Sequence, residues 1–200
     1  MRIVRHNNLA LPLDDGSLPS IFINQSYMLT MDKLIVYEWG IHLIDVLRFM
    51  FGEVKNVYAR MDYVSPVCAG EDRAIITLEV GTVQCLIDIS WASVIGEKRA
   101  SQLEQVTLEG NTGTIELLPE MGDIIRISNK TGTYQQPAFV CSPEAAYQAS
   151  YTAAQSHFAE CLREGKTPET EAKDNLKTLK ATLAAYESAK KNQVILLENK

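Results

Sequence analysis

Four polar residues in and just before an apolar segment have the residue types needed for acid–base chemistry. Residues 41–51 are apolar apart from His42, Asp45 and Arg48. On a helix these three positions form one stripe, and Glu38, four residues before His42, extends it. A carboxylate beside an imidazole orients the ring and raises its basicity, so the pair can exchange protons near neutral pH. The stripe predicts part of a catalytic site. A hydrogen-bonded core histidine with a local Asp45–Arg48 ion pair is the structural alternative.

The segment that carries these residues has the length and the flanking glycines that are typical of a buried helix. A run over residues 41–51 without proline favours a helix over a strand, and apolar residues surround most of it. Gly40 is predicted to be a turn residue before the helix. Gly52 is predicted to occupy the C′ position that ends it.

A long polar segment, residues 7–33, precedes this helix. Loops of this length in compact domains are usually functional or mobile. Because the segment leads directly into the helix, we expect it to lie over the site, with Asn24, Gln25 and Tyr27 as candidate substrate contacts. A disordered loop is the alternative.

Length and composition indicate one ordinary globular domain over residues 1–200. Hydrophobic residues make up 46% and charged residues 22% of the chain, and the net charge is −6. The negative charge and the lack of a Lys/Arg cluster argue against nucleic-acid binding. No apolar run approaches the roughly 18 residues of a membrane span, and no signal peptide is recognisable. The four cysteines are scattered, which is typical of reduced thiols in a cytoplasmic protein, and His157 with Cys161 falls short of a zinc site.

Short alternating segments joined by tight turns dominate the middle of the chain and predict strands. We expect strands over residues 2–6, 54–63, 73–80, 83–91, 102–109, 114–119, 122–128 and 194–198. Residues 94–101 read as a polar loop and residues 131–139 as irregular. Such short connections require a mostly antiparallel sheet.

Two helices are predicted after the strands, over residues 143–164 and 169–191. Ser142 is the expected N-cap of the first, with Pro143 at its first position. Their apolar stripes are interpreted as core, and they consist of Tyr151, Ala154, Phe158, Leu162, Leu176, Leu179, Leu183 and Tyr186. The fold class is therefore α+β, with helices packed on one face of an open, predominantly antiparallel β-sheet. The free face, which carries Ile75 and Leu86, is a candidate oligomer surface.

Several motifs, in this order of elements, resemble the C-terminal domain of the glucose–fructose oxidoreductase/inositol dehydrogenase (Gfo/Idh/MocA) family. The central match is G-x-H-x-x-D over residues 40–45, followed by R-x-x-x-G over 48–52. Further matches are Gly70-Glu71-Asp72, Leu108-Glu109-Gly110-x-x-Gly113, and the ending with Glu164-Gly165, Pro168 and Ala185-x-Glu187-Ser188-Ala189. The resemblance covers nearly the whole chain.

The resemblance implies NAD or NADP bound to an N-terminal Rossmann domain. This chain has no G-x-G-x-x-G between a strand and a helix and no E-K-P segment, and its glycine cluster at 110–113 lies between strands. We therefore expect a C-terminal half without the dinucleotide-binding domain, with no cofactor in this chain and no dehydrogenase activity alone. By matching position, His42 is the general acid/base on the substrate hydroxyl. Glu38 holds it, where the family usually has Asp.

Three functions compete at this point. The leading hypothesis is the substrate-binding and oligomerisation domain of an NAD(P)-dependent oxidoreductase acting on a sugar-like or polyol substrate. The second is a non-catalytic interaction domain that dimerises through its free sheet face. The third, a metal hydrolase using Glu38, His42 and Asp45, is disfavoured because one imidazole makes a poor metal site.

Overall fold

A computed structural model of the protein describes residues 1–94, 102–118, 124–138 and 141–197. The strands are β1 (Arg2–Asn7), β2 (Val54–Asp62), β3 (Arg73–Val80), β4 (Val83–Ser90), β5 (Gln102–Glu109), β6 (Gly113–Leu118), β7 (Ile124–Asn129), β8 (Gly132–Pro137) and β9 (Ile195–Leu196). The helices are α1 (Ser20–Asn24), α2 (Ile41–Phe51), α3 (Pro143–Glu164) and α4 (Ala172–Lys191), with a 3-10 helix at Ser26–Thr30 and a π-helical turn at Val36–Gly40. Most of the predicted loop at 94–101 and the start of the predicted strand at 122–128 lie outside the described residues.

The strands form one open mixed sheet in the order β8-β7-β6-β5-β1-β4-β3-β2-β9. Every neighbouring pair is antiparallel except β1 and β4, which run parallel with Ile3 opposite Ile87. The N-terminal strand thus joins two antiparallel halves. The predicted fold class is confirmed.

The core lies between one face of β2–β4 and the helices α2 and α4. Because side chains alternate along a strand, one face of β3 and β4 is apolar, as predicted. Buried residues of this face include Ala74, Ile76, Leu78, Val80, Cys85, Ile87, Ile89 and Trp91. Ile44 and Leu47 of α2 are fully buried in the same core, so the sheet fixes the position of this helix.

The prediction that residues 131–139 are irregular was wrong, because residues 132–137 form the edge strand β8. It pairs with β7 through a turn in which the Asn129 side chain accepts hydrogen bonds from the backbone N–H groups of Thr131 (2.8 Å) and Gly132 (3.2 Å). All six of its residues are exposed. A strand with no buried face has no apolar alternation, which is why the sequence pattern missed it.

The predicted core stripes of the last two helices were largely wrong, although Tyr186 does pack against the core. On α3, Tyr151 is 51% and Leu162 64% exposed, and on α4 Leu176 is 61% exposed. The buried face of α4 consists of small residues: Thr178, Ala181, Thr182, Ala184, Ala185 and Ser188. Small side chains let α4 approach β2 closely enough for the Ala59 backbone N–H to donate to Ser188 Oγ at 3.0 Å.

The turn between β3 and β4 seats the hairpin against the end of α2. Gly81 has φ +55°, and a Cβ at this position would lie 2.1 Å from the Phe51 carbonyl oxygen. We expect Gly81→Ala to lower the free energy of unfolding by about 3 kcal/mol or more, since the left-handed conformation and the clash both cost free energy. Urea unfolding measures the loss.

Gly165→Ala is the matched control for this substitution. Gly165 has φ +65°, but nothing lies within 4 Å of a Cβ there. Only the conformational cost of about 1 to 2 kcal/mol applies. Equal losses in the two variants would contradict the proposed clash with α2.

Candidate functional site

The helix that carries the candidate catalytic residues begins earlier than predicted, with the π-helical turn that runs directly into α2. Gly40 is therefore not a turn residue before the helix, since its φ of −55° and ψ of −37° are helical. A Cβ at Gly40 would lie 3.1 Å from Val36 Cγ1 and 3.5 Å from Ile89 Cδ1, so glycine lets the turn lie close to β4. Gly52 ends α2 as predicted, with φ +92° and its N–H donating to the Arg48 carbonyl.

Glu38 lies in the π-helical turn and His42 in the first turn of α2. His42 is exposed to solvent and Glu38 is half-buried. No hydrogen bond between the two side chains occurs in the described part of the chain. The imidazole is thus open to an incoming ligand. π-Helical turns are rare and occur often at functional sites.

The sheet anchors this turn through an aromatic contact. Trp39 packs edge-on against the buried Trp91, with ring centroids 5.3 Å apart, and the Arg5 guanidinium lies 4.0 Å above the Trp39 ring. Arg5 is held in turn by Glu104, with 3.1 Å between Nε and Oε2. Strand β1 and the residue that follows β4 therefore hold Trp39 in place, a contact that the sequence pattern did not indicate.

Asp45 and Arg48 anchor α2 to α4, in addition to the local ion pair of the structural alternative, in which Arg48 Nη1 lies 3.6 Å from Asp45 Oδ1. Arg48 donates to Thr178 Oγ1 at 2.6 Å and to Asp174 Oδ1 at 2.9 Å. The Thr178 hydroxyl in turn donates a hydrogen bond to Asp45 Oδ1, also at 2.6 Å. Arg48 bonds both carboxylate oxygens of Glu53 at 3.2 Å. Asp45 is therefore occupied by protein partners.

These contacts hold the carboxyl groups ionised. The hydrogen bond from Arg48 lowers the pKa of Asp174. Burial opposes ionisation of Glu53, but hydrogen bonds from Arg48 and Lys177 outweigh it and lower the pKa of that carboxyl as well.

The candidate substrate contacts lie before this helix, in a segment more ordered than the predicted irregular loop. Asn24 ends α1, and Gln25 leads into the 3-10 helix that contains Tyr27. All three are exposed, and the Tyr27 hydroxyl donates to Gln25 Oε1 at 2.9 Å. Buried Phe22 and Met28 tie the segment to the core. That this segment lies over the site and contacts the substrate stays a prediction.

The glycine cluster at residues 110–113 is a hairpin turn between β5 and β6. The Gly110 N–H donates to the Gly113 carbonyl at 2.9 Å. A Cβ at Gly113 would lie 2.4 Å from the Ser128 carbonyl oxygen, so the close approach of β7 requires this glycine. The elements within the described ranges contain no strand–glycine turn–helix unit, and these residues do not fit a dinucleotide.

The described residues lack both a metal-binding cluster and a membrane-spanning helix. Within them, no group of three or more His, Cys, Asp and Glu side chains is arranged to hold a metal ion. None of the helices that the structure describes is long and apolar enough to cross a membrane.

Comparison with known proteins identifies relatives of the chain. Residues 33–197 match the Gfo/Idh/MocA family description "Oxidoreductase family, C-terminal alpha/beta domain". A D-apiose dehydrogenase of Paraburkholderia graminis is 35% identical over 190 residues, covering 90% of this chain and 49% of that protein. A D-apiose dehydrogenase of Rhizobium rhizogenes is 30% identical over 182 residues, with 88% and 52% covered. The chain thus spans about half the length of the curated relatives it matches.

A solved structure shows the same fold. An oxidoreductase from Agrobacterium radiobacter, crystallised with NAD+, L-tartaric acid and magnesium, superposes with a TM-score of 0.80 at 28% identity. The match covers 98% of this chain and 55% of the other. Sequence, element order and fold agree, and the chain belongs to the Gfo/Idh/MocA oxidoreductase family, in which it matches the C-terminal α/β domain.

Proposed function

We propose that this chain is the substrate-binding half of an NAD(P)-dependent sugar dehydrogenase. The observation that carries the proposal is the placement of His42 at the solvent-facing start of α2, four residues after a half-buried carboxylate, in a chain 35% identical to a D-apiose dehydrogenase. D-Apiose or a similar aldose is the proposed substrate.

His42 is the proposed general acid/base. When a sugar hydroxyl is oxidised to a carbonyl, its oxygen must give up a proton, and an accessible imidazole can accept it. Glu38 is the proposed orienting group, since a carboxylate near the ring favours one tautomer and stabilises the protonated form. Asn24, Gln25 and Tyr27 are the proposed contacts to the remaining hydroxyl groups.

The cofactor belongs to another part of the enzyme in this proposal. The described residues do not fit a dinucleotide, so NAD or NADP is assigned to an N-terminal dinucleotide-binding domain that pairs with this chain. The 200-residue chain by itself is accordingly expected to be inactive.

A binding and activity comparison tests the proposal. The 200-residue chain is titrated with NADH and NADPH by fluorescence, and we expect no saturable binding. The same chain fused behind the N-terminal half of the P. graminis enzyme is expected to reduce NAD+ or NADP+ with D-apiose. Saturable micromolar binding by the chain alone, or a fusion that binds cofactor but oxidises no aldose, would contradict the proposal.

A second candidate function is self-association, because no helix among the described residues packs on the opposite face of β3 and β4. Ile75 on that face is 43% exposed, and Leu86 is half-buried on the neighbouring strand. We propose that this face pairs with a second copy of the chain. Sedimentation of the wild type and Ile75→Glu is the test, and a monomeric wild type would refute it.

A further inference from the structure

The start of the helix that carries Glu38 and His42 is capped by residues distant in sequence. The first four N–H groups of a helix have no partner within the helix. Here the first intrahelical bond runs from the Glu38 N–H to the Leu34 carbonyl at 2.8 Å. The four N–H groups that need outside partners therefore belong to residues 34–37.

Glu71 supplies three of these four partners. Its Oε2 accepts from the Leu34 N–H at 3.0 Å, and its Oε1 accepts from the Val36 N–H at 3.1 Å. Its backbone carbonyl accepts from the Ile35 N–H at 3.0 Å. One residue just before β3 thus satisfies three consecutive donors of the helix start.

Tyr186 of α4 supplies the fourth partner and also hydrogen-bonds to Glu71. Its hydroxyl accepts from the Tyr37 N–H at 3.1 Å and donates to Glu71 Oε1. Burial and the nearby Glu71 carboxylate raise the pKa of this hydroxyl well above its ordinary range, so it stays a donor. The cap connects the sheet, α4 and the π-helical turn.

The Glu71 carboxylate is fully buried, and its described partners are backbone N–H groups and the Tyr186 hydroxyl. A buried polar group is costly unless it is fully hydrogen-bonded, and the positive end of a helix favours negative charge. Gly70 leaves room for this approach, since a Cβ there would lie 2.5 Å from the Met31 carbonyl oxygen. Both carboxylate oxygens act as acceptors in this cap.

We propose that Glu71, with Tyr186, is a positioning residue that sets the winding of the π-helical turn and thereby the placement of Glu38 and His42. Neither side chain touches the substrate in this scheme. The turn follows directly on the capped N–H groups, so losing the cap lets residues 34–40 rewind or unwind, which moves Glu38 relative to His42. The catalytic part of this inference rests on the proposed function; the structural part does not.

Glu71→Gln is the main variant, because it keeps the shape but replaces one carboxylate oxygen with an NH2 group that cannot accept. Tyr186→Phe is the milder second variant, which deletes the hydroxyl alone. Glu187→Gln is the matched control, since Glu187 is the exposed neighbour of Tyr186 on α4. All three are made in the 200-residue chain and in its fusion to the N-terminal half of the P. graminis enzyme, which is called the two-domain enzyme below.

Hydrogen exchange of the 200-residue chain gives the first readout. In Glu71→Gln the amides of Leu34, Val36 and Tyr37 should exchange about 10- to 100-fold faster, while those of Ile76 and Ile87 in the central strands change little. Trp39 lies inside the turn, and the chain has only one other tryptophan, Trp91. The near-UV circular dichroism of this pair should therefore change as well.

Activity gives the second readout. In the two-domain enzyme kcat should fall about 10- to 100-fold with KM nearly constant, because a misplacement of about 1 Å from a mutation away from the chemistry can cost about 100-fold. The pH profile of kcat/KM should shift, and Tyr186→Phe should show smaller changes in the same direction. A merely structural role would lower the yield of folded enzyme without moving the profile.

Two results would overturn the inference. One is unchanged exchange at residues 34–37 in both variants, and the other is an equal acceleration of every core amide. If His42→Ala proves fully active, the proposed function fails, yet the exchange measurement still decides whether Glu71 and Tyr186 hold the turn.

Discussion

Replacing His42 with alanine is expected to lower kcat/KM of the two-domain enzyme about 10²- to 10⁴-fold, the range for loss of a general acid/base. The stability should change little, because the side chain is exposed. Steady-state oxidation of an aldose, with unfolding monitored in parallel, separates the two effects.

The chain offers a matched control for this substitution in His6, whose Nε2 lies 2.9 Å from Asp88 Oδ1 on the central strands. His6→Gln should leave kcat/KM within about threefold of the wild type, since most substitutions away from the chemistry cost well under 1 kcal/mol. Glu38→Gln should be intermediate, because it keeps the shape of the orienting group and removes its charge. A His42→Ala enzyme with wild-type activity would refute the assignment.

Replacing Arg48 with methionine is expected to lower the free energy of unfolding by about 3 kcal/mol, the lower end of the range for breaking a buried ion pair. The Arg48 side chain is 6% exposed, while Asp174 and Glu53 are 44% and 36% exposed. Methionine fills much of the space but removes the Arg48 hydrogen bonds to both acids and to Thr178, so that Glu53 keeps only the hydrogen bond from Lys177. Because the acids are partly exposed, the loss in free energy of unfolding is expected at the lower end of that range.

Lys55→Met is the control, because Lys55 makes a half-exposed pair with Glu79 at 3.0 Å. A surface pair of this kind contributes at most about 1 kcal/mol. Urea unfolding of both variants gives the comparison, and equal losses would show that the Arg48 cluster contributes no more than a surface pair.

The pH dependence of stability gives Arg48→Met a second signature. The pKa values of Glu53 and Asp174 lie below their ordinary values of 4.5 and 3.8 in the folded protein. Their contribution is therefore fully present above about pH 5 and is lost as the pH falls through the folded pKa values. The difference in the free energy of unfolding between wild type and Arg48→Met should therefore decrease as the pH falls from 6 towards about 3.

Local pattern predicted the elements whose apolar faces are buried. Alternation in β3 and β4 predicted their faces because each strand has one side against the helices. The failures share one cause: β8 has no buried face, and Leu176 and Leu183 of α4 are exposed while the buried face of that helix consists of small residues. Periodicity identifies an apolar stripe but not the surface that covers it.

For the candidate site, the sequence indicated the residue types but not what holds them. The spacing of Glu38 and His42 predicted their neighbourhood on one helix. Gly70-Glu71-Asp72 was noted as a motif, yet the role of Glu71 as a cap depends on Leu34, which is 37 positions away along the chain. Tyr186 lies 149 positions from the N–H group that it accepts from.

The sequence by itself determined the α+β class, most of the strands and helices, and the family, and it placed Glu38 and His42 on one helix, because these depend on periodicity and short motifs. Only the tertiary structure decided that β1 lies parallel to β4 in the middle of the sheet, that Arg48 is buried among acids from two helices, and that Glu71 and Tyr186 cap the helix that carries Glu38 and His42. Each of these depends on contacts between residues far apart in the chain. Such contacts form only when the whole core packs, so no local pattern records them.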